Sequence, residues 1–424
     1  MCYNCAYIAV REREGYTLHI VGIIAEYNPF HLGHAYQINE IQRHMPEAVI
    51  VTVISGGFTQ RGLPALLDKW ERARLAVLGG CDLVLELPFA FACRSAQDFA
   101  RGGVQLLSRL GIIDTLAFGA ETNSLEQLAQ AARSMESPSF QQQLHKKIAN
   151  GLAYASAVEK TLSQEASSAF IRKPNNILAF EYLRALRDAP ALSPLLIQRQ
   201  GAGYHSADLK APLPSASALR LALYEGRLDE KAAKLAAPPA TTERLTQLKA
   251  VELPQMARLY PALQLILLRQ SAENLKRIYG MEEGLENRLQ EAASAPSYEA
   301  FIQRAVSRRY PATRLQRLAL HMLLSLDRER AAALESSGPL YARLLAAGPR
   351  GKEMLKVIKE KSALPLIAKT SHFLDSKQRK KNLPELTPLQ QMLAFDTWAT
   401  ELRELTLPHP RPVNDFNQSP VFLK

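Results

Sequence analysis

His31 and His34 lie three residues apart, with Gly33 just before the second, where the apolar run Ile20-Val21-Gly22-Ile23-Ile24-Ala25 gives way to a helix-like stretch ending near His44. Residues three apart share a face of a helix's first turn. Backbone N–H groups at a helix start attract phosphate. Both rings are thus candidates to address one anion lying over the helix N-terminus. A zinc pair is the competing reading. Helical zinc pairs are usually spaced four apart and need further ligands, and no Cys/His/Asp cluster stands nearby in the chain. No metal ligand set is therefore expected.

The elements that must position this pair alternate. Val49–Ile54 reads as a buried strand, Asp82–Leu87 as a strand ended by Pro88, and Thr115–Phe118 as a strand ending at Gly119. Leu195–Arg199 is the last convincing one. Helical spacing runs from Asp68, a plausible N-cap, to Leu78, and from Ser95 to Leu110 with Gly111 as C-cap. A helical insertion covers Leu125–Leu162, and another helix Ile177–Arg187. Such alternation predicts right-handed βαβ units and a parallel sheet: an α/β, Rossmann-like domain whose ligands bind at the carboxyl ends of strands. From about residue 240 the strand pattern disappears and Leu, Ala, Arg and Lys recur at helical spacing. The expected division is a disordered extension at 1–17, a nucleotide-type domain at 18–235 and a basic, mainly helical domain at 240–424.

The chain has 424 residues, 47% of them hydrophobic, enough for two or three packed domains. No apolar run reaches the length of a membrane span, so no membrane partner is expected. Cys2 and Cys5 form a single CxxC, weak evidence for zinc. Cys81 and Cys93 lie in apolar context and read as buried thiols. Scattered cysteines without an export signal place the protein in the reducing cytoplasm. Residues 299–381 hold 18 Lys and Arg against 7 Asp and Glu, an excess equal to the whole chain's net charge of +11. A basic block confined to one part of the chain is the footprint of a polyanion partner.

His-x-Gly-His after a first strand resembles the signature of the nucleotidyltransferase superfamily. There the two histidines bind ATP phosphates and stabilise the transition state of attack at the α-phosphorus. Further segments narrow the resemblance. They are Glu26–His34, Ser55–Ala65, Asp82–Pro88, Phe118-Gly119-Ala120-Glu121, Lys173-Pro174-Asn175-Asn176-Ile177-Leu178 and Ser217-Ala218-Leu219-Arg220, with Arg308-Arg309-Tyr310 and Thr313–Arg317 beyond them. In this order they are similar to the bacterial tRNA(Met) cytidine acetate ligase family. The resemblance implies that acetate is activated with ATP as acetyl-adenylate, and that the acetyl group passes to N4 of the wobble cytidine of elongator tRNA(Met), giving N4-acetylcytidine. ATP with Mg2+, acetate and the tRNA are the implied partners; no protein partner is implied.

On this resemblance His31 and His34 are catalytic. Ile24, Ala25, Glu26, Tyr27, Asn28, Pro29, Phe30 and Gly33 form the turn that cradles adenosine and phosphates. Gly119, Asn175, Asn176, Arg199, Ser217 and Arg220 complete the nucleotide site: a strand end without Cβ, amides suited to an adenine edge or ribose, permanent cations and a helix start. Arg308, Arg309, Arg314, Arg317, Lys377, Arg379, Lys380 and Lys381 are the RNA candidates. Plainer readings stand beside these. Gly119 can simply end a strand, Pro174-Asn175-Asn176 can be a helix start with an Asn cap, Arg199 can be a surface ion pair, and Gln60-Arg61-Gly62 can be only a turn. The same histidine chemistry also serves an adenylyltransferase for a small phosphorylated metabolite, which would not need the basic block. A relic nucleotide fold that only binds RNA is the third possibility.

Overall fold

The computed structural model describes residues 12–13, 16–152, 154–162, 174–200 and 213–424. The CxxC of Cys2 and Cys5 and Lys173 lie outside them. Within the expected extension, Glu12–Arg13 pairs antiparallel with Tyr16–Thr17.

The strands of the main sheet are β1 (Ile20–Ala25), β2 (Val49–Ser55), β3 (Leu83–Leu87), β4 (Thr115–Ala120), β5 (Ser193–Gln198), β6 (Ala342–Ala347), β7 (Leu366–Ile367) and β8 (Val421–Phe422). Their order is β8-β6-β3-β2-β1-β4-β5, with β7 also on β6. β3, β2, β1, β4 and β5 run parallel. β2 is buried at every residue and β1 at all but Ala25, as a sheet covered on both faces requires. Each fully buried Val or Ile contributes about 1.5–3 kcal/mol. β1 is flanked by β2 on one side and β4 on the other, so the order reverses there. A crevice must open above the carboxyl ends of β1 and β4.

The helices that matter to the site are α1 (Leu32–His44), α2 (Lys69–Leu78), α3 (Ala96–Arg109), α4 (Pro174–Leu186), α5 (Ala216–Tyr224), α6 (Ala312–Leu323), α7 (Pro349–Lys361) and α8 (Pro388–Glu404). Asp68 and Ser95 cap α2 and α3 by accepting from Glu71 N and Asp98 N. The region 125–162, expected as one helical insertion, is broken at Ser137-Pro138 and near Leu152 into three helices. Cys81 and Cys93 are free and buried.

One expectation fails. The strand pattern was read as ending near 240, yet β6 joins β3 antiparallel, Leu83 opposite Ala347 and Glu86 opposite Arg343. β7 and β8 then extend β6 in parallel. The segment Ala-Arg-Leu-Leu-Ala-Ala has no β-branched residue, so its propensity reads as helix. Its burial between β3 and the outer strands overrides that. The C-terminal half is therefore helical from about 239 to 337 and then threads back into the first sheet. Among the described residues, no helix is long and apolar enough to cross a membrane.

Candidate active site

β1 ends at Ala25, and the turn Glu26–Phe30 delivers the chain to α1 with His31 as N-cap. Tyr27 sits in the left-handed region, φ 46°, which costs a non-glycine residue on the order of 1–3 kcal/mol. Packing holds it there: its ring meets Phe30 edge-on at 4.9 Å and His34 at 4.7 Å. The Glu26 carboxylate accepts from Gln60 N at 2.6 Å, and Asn28 Oδ1 accepts from Leu66 N at 2.8 Å.

The two histidines cap the helix reciprocally. His31 Nδ1 accepts from Gly33 N at 2.9 Å, and His34 Nδ1 accepts from His31 N at 3.2 Å. A backbone N–H can only donate, so both Nδ1 atoms carry lone pairs and each neutral ring holds its proton on Nε2. The rings lie 3.8 Å apart, tilted by 33°. Burial pushes the His31 imidazole down to about 3, with Arg199 and Arg220 adding to it. His34 is also held well below the usual range, by burial first, then by His31 and Arg199. Both are neutral Nε2–H donors at pH 7. This refines the sequence reading: the N–H groups of His31 and Gly33 serve the rings, and the rings offer their Nε2 protons to a ligand. Gly33 is required by space, since a Cβ there would lie 2.7 Å from His31 Cε1.

Both histidines line a cavity of 630 Å3. Of the residues expected at a nucleotide, Ile24, Ala25, Glu26, Tyr27, Asn28, Gly119, Asn175, Arg199, Ser217 and Arg220 share its wall. Arg199 crosses the end of β4, its Cγ 3.2 Å from where a Gly119 Cβ would stand. Arg220 ties α5 to the histidine turn, donating to Asn28 O at 2.5 Å and to Ser217 Oγ at 3.1 Å. Ser215, whose Oγ accepts from Ala218 N, caps α5.

Pro29, Phe30, Gly33 and Asn176 are not on the wall. Phe30 is fully buried beneath it and packs on His34. Asn176 is also fully buried; its Oδ1 accepts from Glu121 N at 2.8 Å and thereby pins the end of β4 to α4. Asn175 donates to Glu121 Oε1 at 2.7 Å. Of these neighbouring amides, one faces the cavity and the other is structural.

The basic candidates separate as well. Arg309, Arg314 and Arg317 line the same cavity. Arg309 and Arg314 both pair with Glu282 and lie over the Tyr310 ring. Arg308 is exposed. Lys377, Arg379, Lys380 and Lys381 are exposed around a short 3-10 turn and are not on the cavity wall, where Arg379 stacks on Phe416 at 3.8 Å and meets Glu401 at 3.3 Å.

Sequence reasoning missed Arg72. Buried in α2, it donates to Glu26 O at 2.6 Å and Ser55 O at 2.8 Å, and also to Gly56 O, stitching the ends of β1 and β2 together. It also missed Arg94, Tyr182, Tyr279 and His321 on the cavity wall. Arg94 lies over Tyr279 and pairs with Glu335 at 2.6 Å and Asp98 at 3.5 Å. Nothing in their local sequence marks them; only the fold brings them together. Gln60 and Arg61, open between turn and ligand site in the sequence, are on the wall.

Comparison with known proteins agrees with the geometry. The model of the family HIGH Nucleotidyl Transferase matches residues 18–417. A tRNA(Met) cytidine acetate ligase of Syntrophomonas wolfei is 39% identical over 95% of this chain and 99% of its own length. A protein of the same name from Syntrophotalea carbinolica is 36% identical over 95% of this chain and 98% of its own. The crystal structure of Thermotoga maritima TmcAL in its apo form superposes with a TM-score of 0.86 at 28% identity, over 96% of this chain and all of that one. The same protein bound with alpha-thio ATP gives a TM-score of 0.84. The histidine pair over a doubly wound sheet and the near full-length likeness point the same way, and this chain belongs to the tRNA(Met) cytidine acetate ligase family of HIGH nucleotidyl transferases, a family of ligases.

Proposed function

We propose that this protein joins acetate to the wobble cytidine of elongator tRNA(Met) in two ATP-driven steps, in the cytoplasm. A carboxylate oxygen of acetate attacks the α-phosphorus of ATP. The bond from that phosphorus to the β-phosphate oxygen breaks, releasing pyrophosphate and leaving acetyl-adenylate. The cytidine N4 amine then attacks the acetyl carbonyl, AMP leaves, and the nitrogen loses a proton to give N4-acetylcytidine.

The observation that carries the reading is the pair of neutral Nε2–H donors beside Arg199 and Arg220 at the reversal of strand order. Charge grows on the equatorial oxygens of the attacked phosphorus, and donors fixed in advance stabilise it without reorganising. The wall from Ile24 to Asn28, with Gly119, Asn175 and Ser217, receives the nucleotide. α6 and its neighbours from the helical half line the same cavity, and an acceptor base would enter on that side. A splayed anticodon base is the usual target of single-strand recognition. Arg308, Arg309, Arg314 and the cations Lys377, Arg379, Lys380 and Lys381 neutralise RNA phosphates. Among the described residues, no group of three or more His, Cys, Asp or Glu is arranged for a metal ion. The residues therefore suit Mg2+ that arrives on the ATP phosphates rather than in a protein-held site.

The test is direct. Labelled acetate, ATP and elongator tRNA(Met) are incubated with the enzyme, and the RNA is digested to nucleosides. Label in N4-acetylcytidine, with stoichiometric AMP and pyrophosphate, is expected. Unlabelled RNA from folded enzyme would sink the proposal.

A further inference from the structure

Activation brings a carboxylate up to a polyanionic triphosphate, and the two repel. A cation distinct from the phosphate-facing ones must hold the carboxylate. The cavity wall carries seven arginines, Arg61, Arg94, Arg199, Arg220, Arg309, Arg314 and Arg317. Arg199 and Arg220 stand beside the histidines; beyond burial, both add to the depression of His31 and Arg199 to that of His34. Arg94 is neutralised by Asp98 and Glu335, Arg309 and Arg314 share Glu282, and Arg61 is engaged by an interaction of its own.

Arg317 differs. Among the described residues it has no carboxylate partner, and its one hydrogen bond is a long donation from Nη1 to Gln60 O, 3.4 Å. Burial draws its guanidinium below the usual range, and neighbouring Arg314 acts in the same direction. Its guanidinium is half-buried on the cavity wall with most of its five donors unused, a permanent cation set to meet an anion that enters the cavity. Its place is defined. Gln60, whose carbonyl it touches, donates its own N–H to Glu26 at the end of β1. Gly62, at φ +79°, lies flat on α6, where a Cβ would come within 2.6 Å of Arg317 N. The loop 56–65 thus links Arg317 to the histidine turn through Gln60 and Glu26. Phe99, Phe118, Tyr182 and Leu318 line the same cavity and offer an apolar lining for a methyl group.

We propose that Arg317 is the anchor of the acetate carboxylate rather than an RNA-phosphate contact, orienting one oxygen toward the α-phosphorus by a paired guanidinium–carboxylate contact. This rests on the acetate-activating reading above. Arg308, which is exposed and off the cavity wall, suits an RNA phosphate; Arg317, on the cavity wall and without a carboxylate partner among the described residues, suits a small anion.

Acetate-dependent exchange of pyrophosphate into ATP is followed without tRNA, in the full chain, for Arg317→Gln and Arg317→Lys. The half-saturating acetate concentration is expected to rise at least 30-fold in Arg317→Gln, with ATP half-saturation within twofold of wild type. Arg317→Lys should be intermediate, about five- to tenfold, because the charge stays and the fork is lost. If Arg317→Gln does not fold, Arg317→Lys alone decides. Acetate half-saturation within threefold of wild type in a folded variant overturns the proposal. A rise confined to tRNA half-saturation overturns it as well and returns Arg317 to the RNA surface. Wild-type enzyme without any acetate-dependent exchange would instead overturn the underlying reading, before the variants are compared.

Discussion

Because Gly33 N–H and His31 N–H occupy the two Nδ1 atoms, each ring presents its remaining proton on Nε2, where a phosphate oxygen can accept it. His34→Ala should lower acetyl-adenylate formation by on the order of 10²–10³, the cost of losing one fixed transition-state donor. Its tRNA binding, measured by filter retention, should stay within twofold; activation that survives would remove the catalytic role. The pH response has a definite sign. His31 is held at about 3 and His321 at about 4, both below the usual 6.5 and both chiefly through burial. The unfolded chain therefore takes up protons that the folded chain refuses. Stability is fully present above about pH 6.5 and falls with pH from there toward 3–4, by up to about 1.4 kcal/mol per pH unit for each such histidine. Urea midpoints at pH 7, 6 and 5 should decline in that order, and His321→Gln should flatten the decline. A midpoint that does not change with pH would mean the rings titrate normally.

At the level of elements, the strand-to-helix turn and α1 act as one device. Gly33→Ala drives a Cβ into the His31 ring. It should reduce pyrophosphate exchange by about 10²-fold with little change in thermal midpoint, since the neighbours are a movable ring rather than backbone. Unaltered exchange would show that the ring has room to shift. This turn was legible from its residues, because strand, glycine and paired histidines are contiguous. So were β1 to β5, whose apolar runs are bounded by caps and turns. The helical insertion at 125–162 was legible too, but not its division into three helices, because the Ser137-Pro138 break lies within otherwise helical spacing. β6 was not legible at all: Ala342–Ala347 looks like helix until β3 is placed beside it.

Over the whole molecule, the C-terminal segment fastens the halves together. Asp415 accepts from Lys69 at 2.5 Å and pairs with Arg343, while Lys69 meets Glu86 at 2.7 Å; all four are buried. Asp415→Ala leaves two buried cations with one carboxylate, and the expected loss is about 3–5 kcal/mol, read as a lower urea midpoint. A change under 1 kcal/mol would mean that Glu86 alone compensates both cations. Because Lys69 and Glu86 stand on α2 and β3 while Arg343 stands on β6, truncation near 240 would also strip strands from the nucleotide sheet. It cannot separate activation from acceptor binding.

What the residues determined by themselves was local or additive: a histidine pair opening the helix after a first strand, an alternating α/β half, and a basic excess confined to 299–381. These survive because propensity, capping and net charge depend on near neighbours. The tertiary structure alone decided which basic residues belong to the cavity and which to the surface, that Asn175 is on the cavity wall while Asn176 pins a strand, and that Arg72 holds the turn while Arg317 meets the Gln60 loop. Each of these depends on contacts between segments dozens to hundreds of residues apart, and burial, which sets the charge state of the histidines, exists only once those segments have packed.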